Sequence, residues 1–183
     1  MRAGALARLL SHPSPHTWAV WLLAAACTAA CAEPCAVDHC HDGDTCTLIC
    51  GQGTDTVRRV KVRLHCIDAP ELFQAQWGRW SAEALRWYAP VGSVVDLERG
   101  ASDRYGRIVG VLHVRGVRVN VEMVRQGFAA VYERYCAEPV YYEARDEAKA
   151  AGRGIWAVPG PQQRPWEARG RFGSDKHIIR RYN

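Results

Sequence analysis

The apolar positions of the chain change period several times, and each change marks an element. Residues 45–50 alternate, with Cys46, Leu48 and Cys50 on one side, which predicts a strand. Gly51-Gln52-Gly53 supplies a turn. A longer strand is predicted over residues 57–67, with Val60, Val62 and Leu64 on one face. A polar and aromatic loop, 73–78, separates it from a helix over residues 79–89, where Trp80, Ala84 and Trp87-Tyr88 recur at helical spacing and Pro90 stops the run. That spacing places the two tryptophans on the buried face. A short strand is predicted at 94–97, then a hairpin of 108–114 and 117–119 turning at Arg115-Gly116. Asn120 stands where it would cap a short helix, 121–126, that Gly127 closes. Pro139 opens a third helix with Val140, Ala144, Ala148 and Ala151 on one stripe, ending at Gly152. Trp156 is expected to plug the core. Residues 33–40 read as an extended lead-in stapled by cysteines, and the Pro/Gly/Arg-rich stretch from Pro159 as a loosely held extension.

Strands first, then a helix, a hairpin and two more helices predict an α+β fold. Short strands around a long, curved one suit a five-stranded Greek-key β-barrel, the OB-fold, with about three helices. Periodicity alone does not separate it from another small barrel. The 183 residues suffice for one domain with its own core.

Residues 1–32 change this picture at one end. Arg2 and Arg8, no acidic residue, a short apolar run from Trp18 and small residues at Ala30-Cys31-Ala32 make a signal peptide with a cleavage site before Glu33. The run falls short of the roughly 20 residues of a spanning helix. The expected location is therefore secreted or periplasmic. Ala24-Ala25-Ala26-Cys27 leaves lipid anchoring as a lesser alternative, since it lacks the Leu or Val three before the cysteine. The expected division is a signal peptide over 1–32, a folded domain over 33–157 and a basic tail over 158–183. Cys35, Cys40, Cys46, Cys50, Cys66 and Cys136 remain after cleavage, an even number in an oxidising compartment, and disulfides are the natural reading. Sequence does not choose their pairing. A zinc site at Asp38-His39-Cys40-His41 is the rival, but zinc spacings of the C-x2-C kind are absent.

Net charge is +5, and of 24 basic residues only Lys61, Lys149 and Lys176 are lysine. Arginine is the better bidentate phosphate ligand, so the bias suits a polyanion, although codon usage would produce it equally well.

The chemistry gathers around Arg63-Leu-His-Cys-Ile-Asp-Ala-Pro-Glu71. A basic residue lies on the strand, and Asp68 and Glu71 bracket a turn that Pro70 stiffens. One guanidinium and two carboxylates suit a phosphate and a hard cation together. Taken alone, the same residues would equally well cap a following helix. Two further stretches weigh against that bland reading: His41-Asp42-Gly43-Asp44-Thr45 upstream and Ser102-Asp103-Arg104-Tyr105-Gly106-Arg107 downstream. In this order, the three motifs closely resemble the staphylococcal nuclease (thermonuclease) family, and the resemblance runs over residues 42–156.

The resemblance implies the OB-fold and a calcium-dependent endonuclease acting on DNA and RNA, with little sequence preference and 3′-phosphate products. It implies Asp44, Asp68 and the backbone carbonyl of Ala69 as Ca2+ ligands; many members carry Thr at the last position, and Ala keeps the carbonyl. Asp42 would support them, although on local grounds it serves equally as a turn residue. Glu71 is implied as the base or orienter of the attacking water, and Arg63 and Arg107 as the phosphate clamp. Tyr105 either stacks on a base or packs its loop. Tyr132 and Tyr135 fall near a segment that the family uses for nucleotide contact, and Tyr135 is taken as the substrate-binding candidate. No stable protein partner is expected, and the chain is expected to be a monomer. Two rivals remain at this point: an OB-fold nucleic-acid-binding module without catalysis, and a disulfide-rich structural domain, which accounts for the cysteines but not for the motifs.

Overall fold

In the computed structural model, which describes residues 33–53 and 55–172, the chain runs through eight strands. They are β1 (Glu33–Cys40), β2 (Thr45–Cys50), β3 (Arg58–Leu64), β4 (Ile67–Asp68), β5 (Val94–Ser102), β6 (Ile108–Val114), β7 (Val117–Arg118) and β8 (Ala130–Val131). The helices are α1 (Ala75–Tyr88), α2 (Val119–Arg125), α3 (Pro139–Ala150) and α4 (Pro165–Phe172). β1 pairs antiparallel with β2 and β5, β2 with β3, and β5 with β6. β3 then meets β6 in parallel, Val62 opposite Ile108 and Leu64 opposite Gly110, which closes a five-stranded barrel. This is the α+β OB-type barrel that the pattern predicts. Leu48, Val62, Leu64, Val95, Leu97 and Leu112 fill its interior.

The first barrel strand is the segment expected to be a mere lead-in. Its alternation is hidden by a bulge between Val37 and His39, so the buried positions run Cys35, Val37, then Cys40. β7 pairs only with β6, in the hairpin that the sequence predicts, and extends it beyond the barrel. The long strand predicted over 57–67 breaks at His65-Cys66, where Cys66 takes a left-handed φ of 66°. That corner directs β4 away from the barrel to pair with β8, Asp68 opposite Ala130.

α1 begins earlier than predicted and faces the other way. The Gln74 N–H donates to the Glu71 carbonyl at 2.8 Å, and the Glu71 N–H donates to Gln74 Oε1 at 2.8 Å, which organises the entry. Its buried positions are Gly78, Ser81, Ala82, Ala84 and Leu85. Small residues let the helix approach the barrel closely. Trp80 and Trp87 lie on the outer face instead, Trp87 being 73% exposed. Asn120 is not a cap: it lies inside α2, fully buried. α3 buries Tyr141, Ala144 and Ala148 rather than a stripe through Val140 and Ala151. Ile155, not Trp156, enters the core, while Trp156 is half-buried under the Lys149 ammonium, 4.6 Å from its ring centroid.

The six cysteines among the described residues all pair: Cys35–Cys50, Cys40–Cys46 and Cys66–Cys136. The first two join residues directly opposite across β1 and β2. Cys40 in a disulfide removes the soft ligand from the rival zinc reading. The stretch after Pro159 is not loose as far as Phe172: Gln162, Pro165 and Ala168 are buried. The expected signal peptide and the last residues of the tail lie outside the described residues.

Candidate active site

The β1–β2 turn carries the first carboxylates. Asp42 Oδ1 accepts the Asp44 N–H at 3.0 Å, the turn role that local sequence suggested. Gly43 is pressed against Ala69 and α1, and a Cβ there would overlap Ser81 Oγ. Asp44 is buried. Its Oδ1 accepts the Thr45 hydroxyl at 3.0 Å, and its Oδ2 accepts the Ala69 N–H at 2.9 Å, so Asp44 is tied to the turn after β4. Register across β2 and β3 sets Thr45 opposite Arg63. Arg63 Nη2 therefore reaches Asp68 Oδ1 at 2.7 Å and Asp44 Oδ2 at 3.2 Å, while its Nη1 donates to the Leu64 carbonyl at 3.1 Å.

Asp68 is fully buried at the end of β4. Burial, and then repulsion from Asp44, push its carboxyl up to about 6, although Arg169 and Arg63 pull it back. Burial, and then Asp44, push Asp42 up to about 7. Crowded carboxylates in a poorly solvated place call for positive charge. The donors are all oxygen, from Asp44, Asp68 and the Ala69 carbonyl, and this suits a hard cation better than a soft one. The residues present therefore fit a calcium-like ion. Elsewhere among the described residues, His65, Cys66 and Glu138 cluster, but Cys66 is bonded to Cys136 and offers no thiolate.

One residue here escaped sequence reasoning. Arg169 of α4 donates from Nη1 to Glu71 Oε1 at 2.6 Å, and from Nη2 to Asp68 Oδ1 and Oδ2 at 2.6 and 2.7 Å. No motif marks it; only the basic composition of the tail hinted at a partner for acidic groups.

Arg107, Tyr105 and Tyr135 lie on the walls of the same cleft, of about 1800 Å³, which Asp42, Asp44, Arg63, Glu71 and Arg169 also line. Asp103 shapes the β5–β6 loop: its Oδ1 accepts the Tyr105 and Arg107 N–H groups, and its Oδ2 takes Arg107 Nε at 2.7 Å. Arg107 is thus paired with Asp103, not with the carboxylate cluster, and its guanidinium lies 5.5 Å from the Tyr105 ring centroid. Tyr135 packs edge-on against Tyr132, whose N–H donates to the Cys66 carbonyl at 2.8 Å. Arg63, Asp44, Asp68, Ala69 and Glu71 thus share one bonded cluster with Arg169, while Arg107 and Tyr105 line the same cleft from the β5–β6 loop and Tyr135 lines it beside Tyr132.

A sequence model of the family described as "Staphylococcal nuclease homologue" matches residues 61–158. The chain belongs to the staphylococcal nuclease family. It is an enzyme of the nuclease class, a phosphodiester hydrolase. It is 39% identical over 127 residues to a protein of Haemophilus influenzae named "Uncharacterized endonuclease", covering 69% of this chain and 68% of that one. A protein of the same name from Escherichia coli is 39% identical over 126 residues, 68% of this chain and 77% of the relative. The "Micrococcal nuclease" of Shigella flexneri is 33% identical over 140 residues, 70% and 75% of the two chains. The family match ends before α4, so Arg169 belongs to a part of the chain that the family model does not cover.

Proposed function

We propose that the protein is an exported, calcium-dependent endonuclease that cleaves DNA and RNA and leaves 3′-phosphates. The observation that carries this reading is the bonded cluster of Asp44, Asp68, Glu71 and Arg63 on the floor of an arginine-lined groove. Asp44, Asp68 and the Ala69 carbonyl would hold the ion, with Asp42 supporting their turn. When bound, calcium supplies positive charge to the phosphoryl oxygens. Glu71 takes the proton of the attacking water or orients it. Arg63 donates its fork to the phosphoryl oxygens, and so does Arg107, which lines the same cleft and is held in place by Asp103. Tyr105 and Tyr135, both exposed, offer faces on which bases stack, a sequence-tolerant contact. The chain acts as a monomer in this reading.

A non-catalytic OB module would have no need for Asp44, Asp68 and Glu71 gathered against Arg63 and Arg169. The test is turnover of denatured DNA and of RNA with calcium or with chelator. Cleavage with calcium, loss with chelator and 3′-phosphate ends are expected. Binding without cleavage in calcium would restore the module reading. Export is tested separately: the mature chain recovered from outside the cytoplasm should begin near Glu33, and an intact Met1 terminus on cytoplasmic protein would exclude it.

A further inference from the structure

We propose that α4 is a latch in which Arg169 takes the place of the divalent cation, so that docking of α4 and binding of the ion exclude each other. The inference rests on the metal site read above and adds a control to it. Arg169 touches both oxygens of Asp68 and one of Glu71, at 2.6–2.7 Å. Asp68 has no exposed surface, and its Oδ1 already accepts from Arg63. A calcium ion needs its carboxylate oxygens at about 2.3–2.6 Å. Arg63 takes only one oxygen of Asp68, whereas Arg169 takes both, so docked α4 leaves neither oxygen open to an ion, and a dication added beside that guanidinium would be repelled at close range in a poorly solvated place.

α4 is also anchored independently of the carboxylates. Trp166 stacks on Tyr132, centroids 5.8 Å apart and planes 7° from parallel, and Pro165 and Ala168 are buried. The Gln162 amide donates to the Val158 carbonyl at 2.7 Å and so folds the segment leading to α4. The helix therefore carries its own docking surface, and its bidentate arginine is the part that meets the site. Because Arg169 remains partly exposed, the latch is one that a dication can displace. Displacement would also lift Trp166 from Tyr132, next to Tyr135, and open that wall to a nucleotide.

If the latch is closed with equilibrium constant K, the apparent Kd for calcium is raised by a factor of 1 + K, and the effect is reciprocal: calcium releases α4. The experiment is calorimetric titration of calcium chloride into the full mature chain without nucleic acid, alongside hydrogen exchange of α4. Arg169→Gln should bind calcium about tenfold or more tightly, for K of about ten or more. Trp166→Ala, which keeps the arginine, should shift Kd in the same direction by less. Arg164→Gln, on the same segment and paired with Glu167, controls for loss of one positive charge and should leave Kd unchanged. In the wild type, calcium should lower protection of the α4 amides.

Unchanged or weaker binding by folded Arg169→Gln overturns the latch, as does α4 protection that calcium does not move. Should Arg169→Gln fail to fold, Trp166→Ala and the exchange measurement decide. Asp68→Asn separates the two readings. If it abolishes calcium binding while Arg169→Gln changes nothing, the latch alone falls. If it binds as the wild type does, the metal site falls and the latch with it.

Discussion

Gly78 of α1 stands against the Glu71 carbonyl so closely that a Cβ on it would overlap that oxygen. The absence of a side chain at Gly78 thus fixes where the water-activating candidate sits. Gly78→Ala gains about 1 kcal/mol of helix propensity, but must push α1 or the Glu71 turn aside, at about 1–3 kcal/mol for overpacking. We expect no net gain in Tm and a fall of about tenfold in kcat with KM little changed, because a small displacement of a catalytic group is costly. A Gly78→Ala enzyme that is more stable and fully active would show that Glu71 is placed by something else.

Asn120 spans three elements. Its Oδ1 accepts the Leu112 N–H at 3.0 Å, and its Nδ2 donates to the His65 and Gly110 carbonyls at 3.0 and 3.1 Å. It therefore pins the corner at which β3 gives way to β4 and Asp68. Asn120→Ala strands buried backbone groups, each costing about 1–3 kcal/mol. Urea denaturation should show a loss of about 3 kcal/mol or more. A loss below about 1 kcal/mol would mean that water replaces the amide without strain.

What was legible in the sequence was whatever is local. The DGDT turn, the carboxylates around Ala69-Pro70 and the DRYGR loop are short-range motifs, and they mark residues that the barrel brings to one groove. The α+β barrel was legible too, because alternation in β2, β3 and β6 survives in the composition. Three features were hidden for physical reasons. A bulge in β1 breaks the period of two, so a barrel strand reads as a lead-in. α1 packs by a stripe of small residues, so its large rings, which dominate any hydrophobic pattern, face outward. Arg169 meets Asp68 across 101 positions of chain, a contact that only the folded tail creates.

The three disulfides should differ in weight. Cys66–Cys136 closes a separation of 70 residues, Cys35–Cys50 one of 15 and Cys40–Cys46 one of 6. Chain entropy then ranks their contributions at about 4, 3 and 2 kcal/mol. Replacing Cys66 and Cys136 together by Ala should cost the most stability. It should also lower activity more than the other pairs do, because that bond holds the Tyr132–Tyr135 segment beside the strand that carries Asp68. Mass change on reduction verifies the bonds, and denaturant midpoints verify the order. Free alkylation of six thiols in native exported protein would contradict the pairing.

Arg63 and Arg107 should fail in different ways when replaced. Arg63 already contacts Asp44 and Asp68, whereas Arg107 is held by Asp103, outside the carboxylate cluster. Removing Arg63 takes away a phosphate donor and also a cation that competes for the carboxylates. Arg63→Ala should therefore bind calcium at least as tightly as the wild type, yet turn over about 10²–10³ more slowly, the usual worth of one preorganised donor. Arg107→Ala should lose a similar factor in rate with calcium affinity unchanged, and a shallower dependence of substrate binding on salt, since it gives up a phosphate contact without touching the ligands. Lysine should rescue neither, because it lacks the planar fork. Asp44→Ala and Asp68→Ala should weaken calcium binding directly, and Glu71→Gln should keep substrate binding but lose turnover. The measurement is cleavage of denatured DNA at saturating calcium, paired with calcium titration of each folded variant. Wild-type turnover by Arg63→Ala, Arg107→Ala and Glu71→Gln together would move the chemistry elsewhere in the groove. Equal loss of calcium affinity in both arginine variants would mean that they serve the ion site rather than the phosphate.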